Sequence, residues 1–330
     1  MSYESHSVCD PSIPLKKVKE VIELLGYVPV DDRIYKDHKG SYMWSETRDY
    51  QSWVGVELTL FKAKSEPVVV YTRSRAGRSY WDLIQQNKTL RLVRDLLGGS
   101  FTTDAGKNRY WHPDEPPPKP VASGCYLARW RFHNALIKPR MYLSQRGLDQ
   151  PNAKSDPTGH WLIDDMNPRF FSNNLLIPYL IAIWEDFLKS SFIAMLRYSP
   201  QREAALKRAR LNHNHLEMIA AGTSTIEVAL AESLSFQRPS VVADNYKLID
   251  PQFNLSTPLR KPYRRRKESL FEAIDGYVEL RNEFVHTGRM DAKLTDKRVA
   301  KAMDDFEVAV DRCYSAFGKQ FNFAPIRSFF

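Results

Sequence analysis

Near its C-terminus the chain reads VELRNEFVHTGRM. Asn282 and His286 are four residues apart, a spacing that puts both on one face of a helix. Arg281 lies about 100° round from Asn282, and its long arm reaches the same spot. Gly288 is expected to end the helix, so His286 falls in the last turn, where the helix dipole favours a protonated imidazole. Imidazole beside a guanidinium and a carboxamide suits phosphodiester chemistry. A histidine can move the proton of a ribose 2′-hydroxyl or of a leaving oxygen. An arginine matches the charge and shape of a pentavalent phosphorane, and an amide can orient either group. Taken alone, the spacing favours a plainer reading: a charged helix end whose histidine satisfies free carbonyls.

RKPYRRRKESL carries Arg260, Lys261, Arg264, Arg265, Arg266 and Lys267 just ahead of the motif helix, with Tyr263 among them. Such a run either holds an RNA backbone or is a solvated flank, and both readings stay open. Arg73, Arg75 and Arg78 in RSRAGRS lie between a strand and a helix, a place that can cradle a phosphate, although a plain exposed turn is the stronger reading. GGSFTTDAGKN does not meet the P-loop pattern: six residues separate Gly99 from Gly106, and Asn108 stands where a Ser or Thr is needed. The Asp164–Asp165 and Asp304–Asp305 pairs and the histidines of NHNH, His213 and His215, lack ligand spacing, and solvated loop or helix-end positions are expected for them. No metal and no cofactor is expected. Cys9, Cys125 and Cys313 form no CxxC motif and read as buried or idle thiols in a reducing compartment. Most of the seven tryptophans read as core or interface residues.

The elements that must position these residues follow from periodicity. Residues 1–13 read as a loose leader. LKKVKEVIELL has helical apolar spacing and stops at Gly26. WVGVELTLF and EPVVVYTRS read as a strand hairpin. Ser79 caps a helix that ends at Gly98–Gly99, and an edge strand follows with a turn at Asp104–Gly106. HPDEPPPKP breaks the pattern, SGCYLARWRFHNALI reads as a helix capped by Ser123, and RGLDQPNAKSDPTGH as a second linker. Beyond it NNLLIPYLIAIWEDFLKSSFIAMLRYS is a long helix, apolar nearly all round, and therefore deep in a core or a subunit interface. One or two helices are expected over 201–235, a polar loop over 235–263, the motif helix over Glu268–Val285, and a last helix capped by Thr295. The expected fold is thus a small α+β domain over 1–120, a helix and linker over 121–160, and an all-α domain over 161–330.

ELRNEFVHTG resembles the RNxxxH form of the Rx4–6H motif of the HEPN superfamily. The motif sits on the penultimate helix of an all-α region, and IAIWEDFLKSSF is similar to the first helix of many HEPN nucleases, with Glu185 at the position of their acidic residue. The resemblance covers about residues 165–325. It implies a HEPN-like helical bundle and a metal-independent endoribonuclease of toxin–antitoxin, anti-phage or CRISPR-linked type. It implies a homodimer whose two motifs share one cleft, and products with a 2′,3′-cyclic phosphate and a 5′-hydroxyl. Carried over by position, Arg281 and His286 are catalytic, Asn282 supports them, and Glu185 is an accessory contact. The first 160 residues match no family pattern. A sensor or recruitment role for that domain, with an antitoxin or trigger as partner, is therefore an expectation only.

Composition agrees in outline. The 330 residues carry 48 Lys and Arg against 39 Asp and Glu, a net charge of +9, which draws polyanions such as RNA. No secretory signal is read at the N-terminus, and the longest apolar run is too short for a bilayer, so a cytoplasmic protein without a membrane partner is expected. A competing function from another class is a non-catalytic adaptor that uses the same cluster to bind RNA or a nucleotide.

Overall fold

Alternation of inward and outward side chains organises the N-terminal part. The structure, a computed structural model, describes residues 2–31, 37–114, 116–149, 156–208 and 211–326. It divides into two compact units, with the boundary at Ser123/Gly124. Part of the expected second linker, residues 150–155, lies outside the described residues.

The first unit is an antiparallel seven-stranded sheet. Its elements are β1 (Tyr3–Cys9), α1 (Leu15–Leu24), β2 (Val28–Val30), β3 (His38–Trp44), β4 (Val56–Phe61), β5 (Val69–Ser74), α2 (Tyr80–Leu97), β6 (Gly99–Thr103) and β7 (Gly106–Lys107). The strand order is β2-β3-β4-β5-β1-β6-β7. The expected hairpin is β4–β5, with Glu57 opposite Arg73 and Thr59 opposite Tyr71. Val56, Leu58, Leu60 and Val70 pack on Val18 and Ile22 of α1 and on Val93 and Leu97 of α2, so both helices cover one face. The leader expected over residues 1–13 is instead β1, in the interior of the sheet between β5 and β6. Its inward residues Ser5, Ser7 and Cys9 are buried but mostly polar, which hid the strand pattern. The Ser5 and Thr72 hydroxyls share a 2.6 Å hydrogen bond that satisfies them there. Ser79 caps α2 as expected, in a capping box with Asp82.

The second unit is helical. Its elements are α3 (Pro120–Asp149, within this unit from Gly124), α4 (Trp161–Asp165), α5 (Pro168–Arg197), α6 (Arg202–Lys207), α7 (His213–Ala220), α8 (Ile226–Glu232), α9 (Pro239–Tyr246), α10 (Ser256–Arg260), α11 (Leu270–Thr287) and α12 (Asp296–Gln320). Four of these are long: α3, α5, α11 and α12. Phe171 at the start of α5 meets Phe284 at the end of α11, so these two run antiparallel. Trp184 meets Phe306 and Phe187 meets Phe317, so α5 and α12 run parallel. Ion pairs Arg129–Asp311, Arg140–Glu307 and Arg146–Asp296 lay α3 antiparallel to α12. The fully buried Trp184, Phe187, Phe306, Phe317 and Tyr246 fill the core, with Tyr246 stacked on Phe317 at 5.2 Å.

Two expectations change here. The helix drawn as a separate segment over 121–160 belongs to the helical body, because its ion pairs and the Phe132–Phe187 contact tie it to α12 and α5. The loop expected over 235–263 contains α9 and α10: Pro239 opens α9 in its first turn, and Val242, Ala243, Tyr246 and Leu259 are buried. No helix among the described residues is long and apolar enough to cross a membrane.

Candidate functional site

Local sequence fixes both ends of the motif helix. Ser269 accepts from the Glu272 amide at 3.3 Å, while the Glu272 carboxylate accepts from the Ser269 amide at 2.8 Å. Leu270, Ala273, Ile274 and Val278 are buried and set the inward face. Gly288 adopts φ 71° and donates its amide to the Phe284 carbonyl at 2.9 Å, the left-handed termination expected from the sequence.

At this end Arg281 and Asn282 are half-buried and joined, with Arg281 Nη1 donating to Asn282 Oδ1 at 2.9 Å. His286 is exposed one turn beyond Asn282. Among the described residues neither of its ring nitrogens has a hydrogen-bond partner. Near this end the Glu283 carbonyl accepts from the Thr287 hydroxyl and the Phe284 carbonyl from the Gly288 amide, and among the described residues no carbonyl accepts from His286. The plainer reading, in which the histidine satisfies the helix end, therefore finds no contact to support it. Around the motif Phe171, Leu175 and Val285 are 50%, 48% and 49% exposed, an apolar rim beside the polar groups.

The segment that follows the motif is held from below by two adjacent asparagines of α5. Asn174 Oδ1 accepts from the Asp291 amide at 2.9 Å, and Asn173 Nδ2 donates to the Leu294 carbonyl at 2.7 Å. Asp296, first residue of α12, accepts from Arg146, Arg169 and Asn173. Burial alone raises its carboxyl pKa, but the hydrogen bonds from Arg169 and Asn173 and the charge of Arg146 outweigh it, so the group is held below the usual carboxylate range. The sequence reading missed this clamp. Two amides opening an otherwise apolar helix were the available signal, since buried amides require partners.

Glu185 is not brought to the motif within one chain. It accepts from Gln237 Nε2 at 3.2 Å, beside Arg238, which pairs with Asp275 at 2.9 Å. It lies roughly fourteen residues along α5 from Phe171, or about 20 Å of helical rise, on the antiparallel partner of α11. The basic run is likewise at the far end of α11, about 25 Å of rise from His286. There Arg260 stacks on Phe271 at 3.8 Å, Arg264 pairs with Asp304 at 3.1 Å, and Arg266 pairs with Asp305 at 2.7 Å. Those three are structural contacts. Lys261, Arg265 and Lys267 remain exposed, without a side-chain partner among the described residues. Asp305 is fully buried, which overturns the solvated position expected for it. Asp164 is buried too and caps the Thr158–Gly159 turn.

The arginines of RSRAGRS are also spoken for. Arg73 pairs with Glu4 at 3.4 Å, Arg75 with Glu57 at 2.6 Å, and Arg78 lies over the Tyr3 ring at 3.6 Å. Cys9, Cys125 and Cys313 are free and buried, and burial pushes the Cys9 thiol up to about 11. Among the described residues no group of three or more His, Cys, Asp or Glu side chains is placed to hold a metal ion. Comparison with protein-family models, with curated proteins and with solved structures gives no match for this chain.

Proposed function

We propose that the helical unit cleaves RNA at a composite site made by the motifs of two chains, in the manner of HEPN ribonucleases. The observation that carries this reading is an exposed imidazole with no hydrogen-bond partner among the described residues. His286 lies in the last turn of α11, one turn from a guanidinium–carboxamide pair. The ribose 2′-oxygen attacks the adjacent phosphorus, the bond from phosphorus to the 5′-oxygen breaks, and a 2′,3′-cyclic phosphate forms. One His286 takes the 2′-hydroxyl proton and its counterpart in a second copy gives a proton to the leaving 5′-oxygen. Arg281 stabilises the charge on the phosphorane, and Asn282 fixes the direction of that guanidinium. Glu185 has no step in a single chain. The biological setting that goes with this chemistry is a toxin or antiviral defence protein that stops growth by destroying RNA.

The second reading, an adaptor that binds RNA or a nucleotide without cutting it, is favoured by one observation: a single chain offers one imidazole at this end, and the nearby Glu283 carboxylate is paired with Arg289 at 3.3 Å. Incubation of the full chain with a mixed-sequence RNA in EDTA separates the two. The expected result is cleavage to cyclic-phosphate ends that falls at least about 100-fold in Arg281→Ala and in His286→Ala. Cleavage unchanged in both variants overturns the assignment. RNA binding without cleavage moves the protein to the adaptor class.

A further inference from the structure

A groove of about 540 Å³ lies between the Gln252–Lys261 segment and α12. It belongs to the opposite end of the motif helix from His286, since Lys261 immediately precedes the basic loop that leads into α11. Its lining is cationic: Lys261, Arg312 and Lys319 face one carboxylate, Asp311. That carboxylate is already engaged, by Arg129 at 2.8 Å and by His133 at 3.4 Å. Asp250, just beyond the groove, accepts from the Gln320 side chain and from the Gln252 amide.

Arg312 shows how the groove is built. Its guanidinium donates to the carbonyls of Pro258 at 3.1 Å, Lys261 at 2.8 Å and Pro262 at 2.9 Å. Carbonyls satisfy its N–H groups but leave its charge unneutralised. The same bonds fix the wall of the groove to α12. Lys261 and Lys319 are exposed and have no carboxylate partner among the described residues. Among the described residues the Gln252 side chain has no hydrogen-bond partner, and the Asn254 side chain uses only its oxygen, on the Ser256 amide. A preformed concavity thus offers two mobile ammonium groups, a fixed cationic wall, the Gln252 carboxamide and the Asn254 amide N–H groups. Volumes of about 300–1,000 Å³ with a few convergent polar groups are typical of small-molecule sites.

We propose that this groove is a binding site for a small organic phosphate, with the phosphate dianion between Lys261 and Lys319 and the polar body of the ligand against Gln252 and Asn254. The ammonium groups neutralise the dianion as point charges and reorient freely to it. The carboxamides offer both a donor and an acceptor, which suits a sugar or a base more than an aliphatic chain. The site is independent of the proposed cleavage chemistry, because no residue of it belongs to the motif.

Isothermal titration calorimetry of the full chain with inorganic phosphate, ribose 5-phosphate and AMP tests the proposal. Saturable binding of at least one of the two organic phosphates is expected, tighter than that of inorganic phosphate. Lys261→Glu with Lys319→Glu is expected to weaken it at least about tenfold, since each reversal replaces an attraction with a repulsion. Ser315→Trp, which fills the groove from an exposed position, is expected to do the same, and His286→Ala is expected to bind as wild type. Absence of saturable binding by all three ligands overturns the proposal. So does binding that both groove variants retain, or binding of inorganic phosphate as tight as that of its esters.

Discussion

Asp305 is a carboxylate with no solvent exposure, and three donor atoms converge on it, Arg266 Nη1, the Tyr277 hydroxyl and Lys301 Nζ. Arg266 approaches both oxygens at 2.7 and 2.9 Å, the Tyr277 hydroxyl donates at 3.0 Å, and Lys301 sits at 3.2 Å. A buried charge survives only with such company, because desolvation otherwise drives it neutral. Removing the carboxylate strands Arg266 and the Tyr277 hydroxyl, so Asp305→Ala is expected to lower stability by about 3–5 kcal/mol. Urea unfolding of the two proteins measures it, and a loss under about 1 kcal/mol contradicts this role. Asp305 also shows what residue-level sequence reading misses. Arg281, Asn282 and His286 were legible because their relation lies within one turn of one helix. The environment of Asp305 was not, because Arg266, Tyr277 and Lys301 reach it from two helices and a loop whose packing no local pattern states. The basic run misleads for the same reason, since counting its charges gives no sign that Asp304 and Asp305 neutralise two of them.

At the scale of elements, the joint between α11 and α12 depends on a charged clamp. Asp296 starts α12, where the helix dipole already favours a negative charge, and it ties that start to α3 through Arg146 and to α5 through Arg169. Asp311 binds the middle of α12 to α3 through Arg129 and His133, and those partners outweigh burial to hold it below the usual range. Both carboxyls therefore have lower pKa values folded than unfolded. The stability they contribute is fully present above the unfolded value of about 3.9 and is lost as pH falls through the lower folded values. The urea midpoint is expected to be flat from neutrality down to about pH 5 and to drop steeply below about pH 4. Asp296→Asn is expected to cost about 2 kcal/mol at pH 7 and to make the acid limb shallower. An acid limb identical to wild type removes Asp296 from that account. Elements were legible where caps and apolar spacing coincide, as in α2 and α11, and α12 was legible from its apolar spacing alone, since Thr295 stands at its N-cap without a side-chain hydrogen bond. β1 was not, because a strand that hides Ser5 and Ser7 lacks the apolar alternation by which strands are recognised.

At the scale of the whole molecule, the sequence break at the prolines marked the end of the sheet unit but misplaced the helix that follows. Helix α3 carries an ordinary helical pattern, and it is its partners across space, Asp296, Glu307 and Asp311 on α12 and Phe187 on α5, that assign it to the helical body. The remaining question at this scale is the second copy that the cleavage proposal requires. One chain supplies one imidazole, and acid–base cleavage by histidine needs a donor and an acceptor of protons. The rim of Phe171, Leu175 and Val285 gives a physical reason for pairing at this end of the bundle. Fully burying such side chains contributes roughly 1.5–3 kcal/mol each, and about half of each is already buried. The net charge of +9 on each chain opposes association and weakens as salt screens it. Pairing should therefore strengthen with ionic strength, the reverse of RNA binding. Light scattering at about 100 µM protein is expected to give a dimer that persists in 0.5 M salt. Leu175→Glu together with Val285→Glu, which leaves the Phe171–Phe284 contact in place, is expected to give a monomer that keeps the wild-type circular dichroism spectrum. That monomer should no longer cleave RNA, while His286→Ala should remain a dimer and be equally inactive. A wild-type monomer that cleaves RNA at full rate would show that one imidazole suffices, and the composite site would have to be abandoned even with Arg281 and His286 kept as catalytic residues.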